Sequence, residues 1–205
     1  MPEMQLESGL MQLLTLRRSL RRYRQEPIPH DVIERVLTAA IWAPSAHNRQ
    51  PWRFAVTDSD ARKVELAQAM GARLRRDLTA DHVPQAVIEA DAARSYERIT
   101  AAPVLIAVCL TMADMDTYPD ARRSQAEHVM AVQSVAMAGQ NLLLAAHDAG
   151  LGACWMCAPL FCPDVVRDTL NLPQDWEPQG LITMGYPAQE REKTRRPLEA
   201  SVLWR

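Results

Sequence analysis

The 205-residue sequence has no excess of charge of either sign, with 23 Lys and Arg against 25 Asp and Glu. Such a balance provides no global field to recruit nucleic acid or an anionic membrane, so any cationic function has to be local. Compositionally biased tracts and fixed-period repeats are also absent, which argues against a disordered chain or a solenoid. The richest apolar stretch, Met130 to Ala146, is interrupted by Gln133, Ser134, Gln140 and Asn141 and makes a poor membrane span. The first residues, MPEMQLESG, lack the charged start and apolar core of a signal peptide, and the expected compartment is the cytoplasm.

The common chemical signatures are missing as well. There is no GxGxxG, no GxxxxGK[ST], no HExxH and no GxSxG, so dinucleotide-fold, phosphate-loop, zinc-protease and serine-hydrolase readings lose their main support. Of the four cysteines, Cys154, Cys157 and Cys162 cluster in CWMCAPLFC, and Cys109 stands apart. A CxxC pair can form a redox couple or half a zinc site, but no second CxxC or HxxxH supplies the remaining ligands. The alternative is that free cysteines in an apolar run act as small buried hydrophobes.

What is present suits one domain over residues 1–205, with 48% hydrophobic residues to build a core. A short amphipathic helix is expected over Leu6 to Leu16. Another should begin at Asp31, with Val32, Ile33, Val36, Leu37, Ala40 and Ile41 forming its buried stripe and Pro44 stopping it. Trp52 to Thr57 reads as a strand, Asp58 to Leu78 and Val83 to Arg98 as helices, and Ala102 to Leu110 as a strand buried on both faces. The long pattern from Ser124 to Ala149 is apolar around most of its circumference and should be buried by its own domain or a partner subunit. Ala136, Ala138 and Gly139 would admit another backbone, and Gly150 and Gly152 would end the helix. A strand at ACWMCA, a helix from Pro163 to Leu170 and a strand from Gly180 to Tyr186 follow. From Pro187 the chain reads as an extended arm. The order implies an α+β fold, a central antiparallel-type mixed sheet flanked by helices. Trp42 and Trp155 are expected in the core; Trp52 could shape a cleft for an aromatic molecule.

Three polar islands remain: RRSLRRYR (Arg17 to Arg24), APSAHNRQPWRF (Ala43 to Phe54) and EKTRRP (Glu192 to Pro197). Arginine beside serine suits phosphate, because the guanidinium offers a planar fork of donors and the hydroxyl adds one more. A solvated basic face, or a nucleic-acid contact, is the competing explanation for the first island. The second could read the edge of a heteroaromatic ring through its amides, or be only a hydrogen-bonded turn.

Taken together, LRRSLRRY, APSAHNRQPWRF, AGLGACWM, LITMGYP and EKTRRP resemble the flavin-dependent nitroreductase family from about Leu13 to Arg196. The resemblance implies an α+β homodimer that binds FMN at the subunit interface and passes hydride from NADH or NADPH to a second small molecule, with neither nucleic acid nor membrane as partner. Within the family, YPDARRSQAEHVM, GLGACWMCAPLF and LNLPQDWEPQGLITMGYP are similar to the reductase domain of the bacterial deazaflavin-cofactor biosynthesis protein; no ligase domain of that protein is present. The family pattern assigns Arg17, Arg18, Ser19 and Arg21 to the first flavin-binding element, and Ser45, Asn48 and Gln50 to the second. It assigns Lys193 and Arg195 to the tail that closes on the phosphate. Ala158, Pro159 and Leu160 match the loop whose backbone N–H faces the hydride-accepting nitrogen, with Cys157 and Pro159 departing from the usual residues. The pattern leaves His47 and Arg49 unexplained, and they are the candidates for substrate choice. No catalytic side chain and no metal is implied, since the chemistry would belong to the flavin.

Overall fold

A computed structural model describes residues 9–205; the expected helix start at Leu6 lies outside the described residues. Four strands form one sheet in the order β1-β2-β4-β3: β1 Trp52–Thr57, β2 Val104–Leu110, β3 Gly152–Met156 and β4 Glu177–Gly185. All three pairings are antiparallel. The mixed character expected from the sequence is confined to one parallel bridge, Ser19 with Ala153. Among the described residues six helices surround the sheet: α1 Gly9–Leu16, α2 His30–Ile41, α3 Asp60–Ala80, α4 Gln85–Thr100, α5 Ala121–Asp148 and α6 Pro163–Thr169.

The continuous apolar run of β2 follows from its place between β1 and β4 with helices over both faces. Successive side chains point to opposite sides, so Val104, Ile106, Val108 and Leu110 pack with α2 and α5, while Leu105, Ala107 and Cys109 pack with α3 and α6. Strand β4 begins earlier than its apolar stretch suggests. The register slips between Val108 and Cys109, which pair with Gly180 and Pro178, leaving Gln179 as the bulged residue. A proline that cannot donate to the ladder is tolerated beside such a bulge.

Helix limits follow local chemistry. Ser59 Oγ accepts from Arg62 N at 3.4 Å and starts α3 two residues later than Asp58, and Asp120 Oδ1 accepts from Arg123 N at 3.0 Å and starts α5 before Ser124. Pro84 precedes α4, which therefore begins at Gln85. Gly150 takes φ 74° just after α5, while Gly152 belongs to β3 instead of the helix end.

Helix α5 is long and apolar enough to cross a membrane by length and composition, yet Val135, Ala138, Leu142 and Ala146 pack into the core. It is not buried all round: Val129 is 42% exposed and Met137 38%. The small residue Gly139 admits a tryptophan ring instead of a backbone. A Cβ there would lie 2.3 Å from Trp155, and one at Gly180 on β4 would lie 2.6 Å from the other side of the same ring. Trp155 is thus wedged between α5 and the sheet. Trp42, by contrast, caps α2 and is 81% exposed, against its expected core position.

Candidate functional site

The basic run Arg17–Arg24 leaves α1 and follows the β3 edge of the sheet. Leu20 N donates to Ala153 O at 3.1 Å and Arg24 N to Tyr186 O at 2.8 Å. Between them Tyr23 is 7% exposed, its hydroxyl within 2.6 Å of Leu20 O, 3.0 Å of Thr183 O and 2.8 Å of Thr183 Oγ1. Burial pushes its pKa well up, so it remains a neutral donor. Fixing Tyr23 inward turns Arg22 and Arg24 to solvent and leaves Arg17, Arg18 and Arg21 half-buried.

Those three arginines, with Ser19, line a cavity of about 390 Å³. The C-terminal segment completes it with Arg191, Lys193 and Arg195, so six cations and a hydroxyl face one space, with no acid in its lining among the described residues. Arg191 Nη1 reaches Ser19 O at 3.4 Å. Arg17 Nη1, Arg18 Nε and Arg21 Nε are buried and have no hydrogen-bond partner among the described residues. The Arg17 guanidinium is held below its ordinary pKa by burial, then by Arg195 and Arg18. Like charges held together around buried, unsatisfied donors form a site complementary to an anion with several oxygens.

Two further cavities adjoin this one. One of about 600 Å³ shares Arg21 and Arg191 and adds Arg94 and Arg98 from α4. The Arg98 guanidinium is lowered by burial, then by Arg21 and Arg94. The other, about 940 Å³, shares Arg17, Arg18 and Lys193 and adds Leu143, His147 and Leu151. The sequence reasoning missed Arg98 and Arg191; the spacing of Arg94 and Arg98, one helical turn apart, was the available signal for the first.

The second island lies elsewhere. Ser45–Gln50 leads into β1, whose Trp52 pairs with Leu110 at the end of β2, itself opposite Glu177 at the start of β4. The basic run instead meets the sheet at Ala153, which pairs with Met184 near the end of β4. The two islands therefore stand at opposite ends of the sheet, roughly 20 Å apart along the strand direction.

The loop is strained and braced. His47, Asn48 and Gln50 have φ of 49°, 54° and 51°. Left-handed conformations cost side-chain-bearing residues on the order of 1 kcal/mol each and persist where surroundings over-determine them. Ser45 Oγ accepts from Gln50 N at 3.0 Å, Asn48 N donates to Ser45 O at 3.0 Å and Arg49 N to Ala46 O at 2.9 Å. The Arg49 side chain pairs with Asp116.

The turn Ala158–Phe161 follows β3 and carries the third set of expected contacts. Pro159 has no N–H, and Leu160 N donates to Cys157 O at 3.0 Å. Of the three expected residues, only Ala158 retains an N–H without a partner inside the turn. Cys109, Cys154 and Cys162 are buried and Cys157 is exposed; all four are free, and no group of metal-ligating residues occurs among the described residues. Burial pushes the Cys109 thiol up to about 12 and raises Cys154 and Cys162, so these behave as packing residues.

The nitroreductase family model matches residues 14–186, nearly the whole of this fold. The chain belongs to the nitroreductase family. An NADH dehydrogenase of Thermus thermophilus is 30% identical to it over 214 aligned positions, covering 92% of each chain. A 5,6-dimethylbenzimidazole synthase of Rhodospirillum rubrum is 32% identical, over 89% of this chain and 83% of the other. A Desulfovibrio desulfuricans protein described as a nitroreductase and solved in complex with FMN superposes with a TM-score of 0.75 at 29% identity, covering 97% and 98% of the two chains. A BluB-like flavoprotein from Clostridium difficile shares the fold, with a TM-score of 0.78 at 19% identity over 96% and 99%.

Proposed function

We propose that this chain is an FMN-dependent oxidoreductase, with residues 1–205 forming a single flavin-binding domain. The observation that carries the reading is the cationic cavity at Arg17, Ser19, Arg21, Arg191, Lys193 and Arg195, which among the described residues has no acid in its lining and three buried guanidinium nitrogens without a partner. These groups fit a phosphate monoester, and the adjoining cavity under Arg94 and Arg98 gives the rest of a phosphate-bearing molecule room on the same side. FMN, when bound, supplies hydride chemistry, accepting two electrons from NADH or NADPH and yielding them to an unsaturated, quinone or nitroaromatic acceptor in a ping-pong cycle. The protein's part is to bind, orient and supply charge. Arg17, Arg18, Ser19, Lys193 and Arg195 hold the phosphate. Arg21 and Arg98, cations in a partly desolvated cavity, stabilise negative charge developing beside them. Ala158 is the candidate backbone donor of the third element.

The opposite placement of the two islands supports a homodimer in which Ser45, Asn48 and Gln50 of one copy meet the cationic cavity of the other. The exposed Val129 and Met137 on α5 favour the same assembly, while the segment after Pro187, read as an extended arm, lies against this chain's own cavity. His47 and Arg49 then face the acceptor. A nucleic-acid role fits less well, because most arginines of the basic run line cavities and are not displayed on a face. Reduction of a dehydro deazaflavin precursor is a narrower version of the proposal, supported by the three matching sequence segments.

An absorbance scan of purified protein should show bound flavin that bleaches with NADH or NADPH under anaerobic conditions and recovers with a quinone or nitroarene. Bound flavin that never bleaches would make the protein a carrier. A colourless preparation that takes up no added FMN would refute the proposal.

A further inference from the structure

Helix α5 keeps two polar side chains on its otherwise apolar buried face. Glu127 and Ser134, seven positions apart, are each 1% exposed. Burying a carboxylate or a hydroxyl is costly unless its hydrogen bonds are made. Ser134 meets the strained loop directly, and Glu127 meets a segment that pairs with it. Ser134 Oγ donates to Met130 O at 2.7 Å and accepts from Ala46 N at 3.2 Å. Glu127 Oε1 accepts from Asp116 N at 3.1 Å, and Asp116 in turn pairs with Arg49.

The segment after β2 is also stitched, at two more points, to the residues that lead from this loop into β1. Thr111 N donates to Pro51 O at 2.9 Å, and Arg53 pairs with Asp114 at 3.4 Å. Arg49 is thereby held in one orientation by a chain of contacts ending in the core. Its side chain remains 41% exposed and uses only Nη2 on Asp116, which leaves most of its planar fork of donors facing outward.

We propose that Glu127 and Ser134 are positioning residues for the Ser45–Gln50 loop, and that Glu127 through Asp116 and Ser134 through Ala46 orient Arg49 to anchor a carboxylate on the electron acceptor. The inference rests on reading this loop as one wall of the flavin site. A guanidinium already fixed by one partner loses less side-chain freedom on meeting a second anion, and its two parallel N–H groups match a carboxylate.

The test compares kcat/KM for para-nitrobenzoate with that for the uncharged para-nitrobenzamide, in proteins whose flavin content is measured first. Arg49→Gln should lower the ratio about tenfold, the size expected for one charge-assisted hydrogen bond. Ser134→Ala and Glu127→Met should each lower it about threefold or more by loosening Arg49 without removing it. Glu127→Gln, which keeps a carbonyl oxygen for Asp116 N–H, should bring the ratio back toward that of the parent. An unchanged ratio in Arg49→Gln removes Arg49 as the anchor. An unchanged ratio in Ser134→Ala and Glu127→Met, with only Tm reduced, makes the two residues structural and overturns the inference. Should Glu127→Met fail to fold, Ser134→Ala decides alone. A parent protein that takes up no flavin defeats the underlying reading before any ratio is measured, and this inference with it.

Discussion

At the Ala153 end of the sheet, guanidinium groups crowd around a cavity with buried nitrogens that find no partner among the described residues; at the Trp52 end, Ala46 N, Asn48 N, Arg49 N and Gln50 N all have partners, and the backbone is bent into left-handed turns. The first end is incomplete by charge, the second complete by hydrogen bonding. Substitutions at the two ends should therefore divide their effects between ligand affinity and fold stability in opposite proportions.

The largest effect expected is from Arg17→Gln combined with Arg195→Gln. Two charge-assisted contacts are worth about 3 kcal/mol or more together, so FMN affinity should fall about a hundredfold or further. Tm of the flavin-free protein should hold or rise, because the pair repels. Fluorescence titration and thermal unfolding read the two quantities, and a flavin affinity left intact would remove the phosphate role from these residues. Next comes Ser45→Ala, which deprives Gln50 N of its acceptor. The bond is exposed, so its loss should cost about 0.5–1.5 kcal/mol of stability, with a loss of flavin affinity well below that of the arginine pair. If the order of the two effects reverses, the contrast between the ends is wrong.

The smallest effect concerns His147, whose pKa is held below 6.5 by burial, then by Arg17 and Arg18. A group depressed in the folded state contributes stability above its unfolded pKa and loses it as pH falls through the folded value. The flavin-free protein should therefore lose stability as pH drops below about 6.5. A phosphate between the arginines cancels part of their field, so the His147 titration followed by NMR should move up when FMN is bound. No movement would place the phosphate away from Arg17.

Elements with strong local signals were legible in the sequence. Trp52–Thr57 is the strand expected, and β2 was readable because burial on both faces leaves an unbroken apolar run. The start of β4 was hidden because Glu177, Pro178 and Gln179 look polar, and Gln179 is buried only by virtue of a bulge in a distant pairing. The cationic cluster could be assembled from motif order, since Ser19 and Lys193 belong to recognisable segments. That the Ser45 loop stands at the other end of the sheet depends on strand register, which no local pattern encodes. Trp42 was misplaced because a helix cap resembles a continuing apolar stripe, and the roles of Glu127 and Ser134 require knowing what α5 lies against.

The wedge of Trp155 between Gly139 and Gly180 has a consequence for how this chain can diverge. A side chain larger than hydrogen at either glycine meets the indole ring within 3 Å, and a smaller residue at 155 leaves a void against both. The three positions can be exchanged only as a set, so a homologue lacking this tryptophan should carry bulkier residues at one or both of the glycine sites. Reading those three positions together would sort relatives by how closely α5 approaches the sheet.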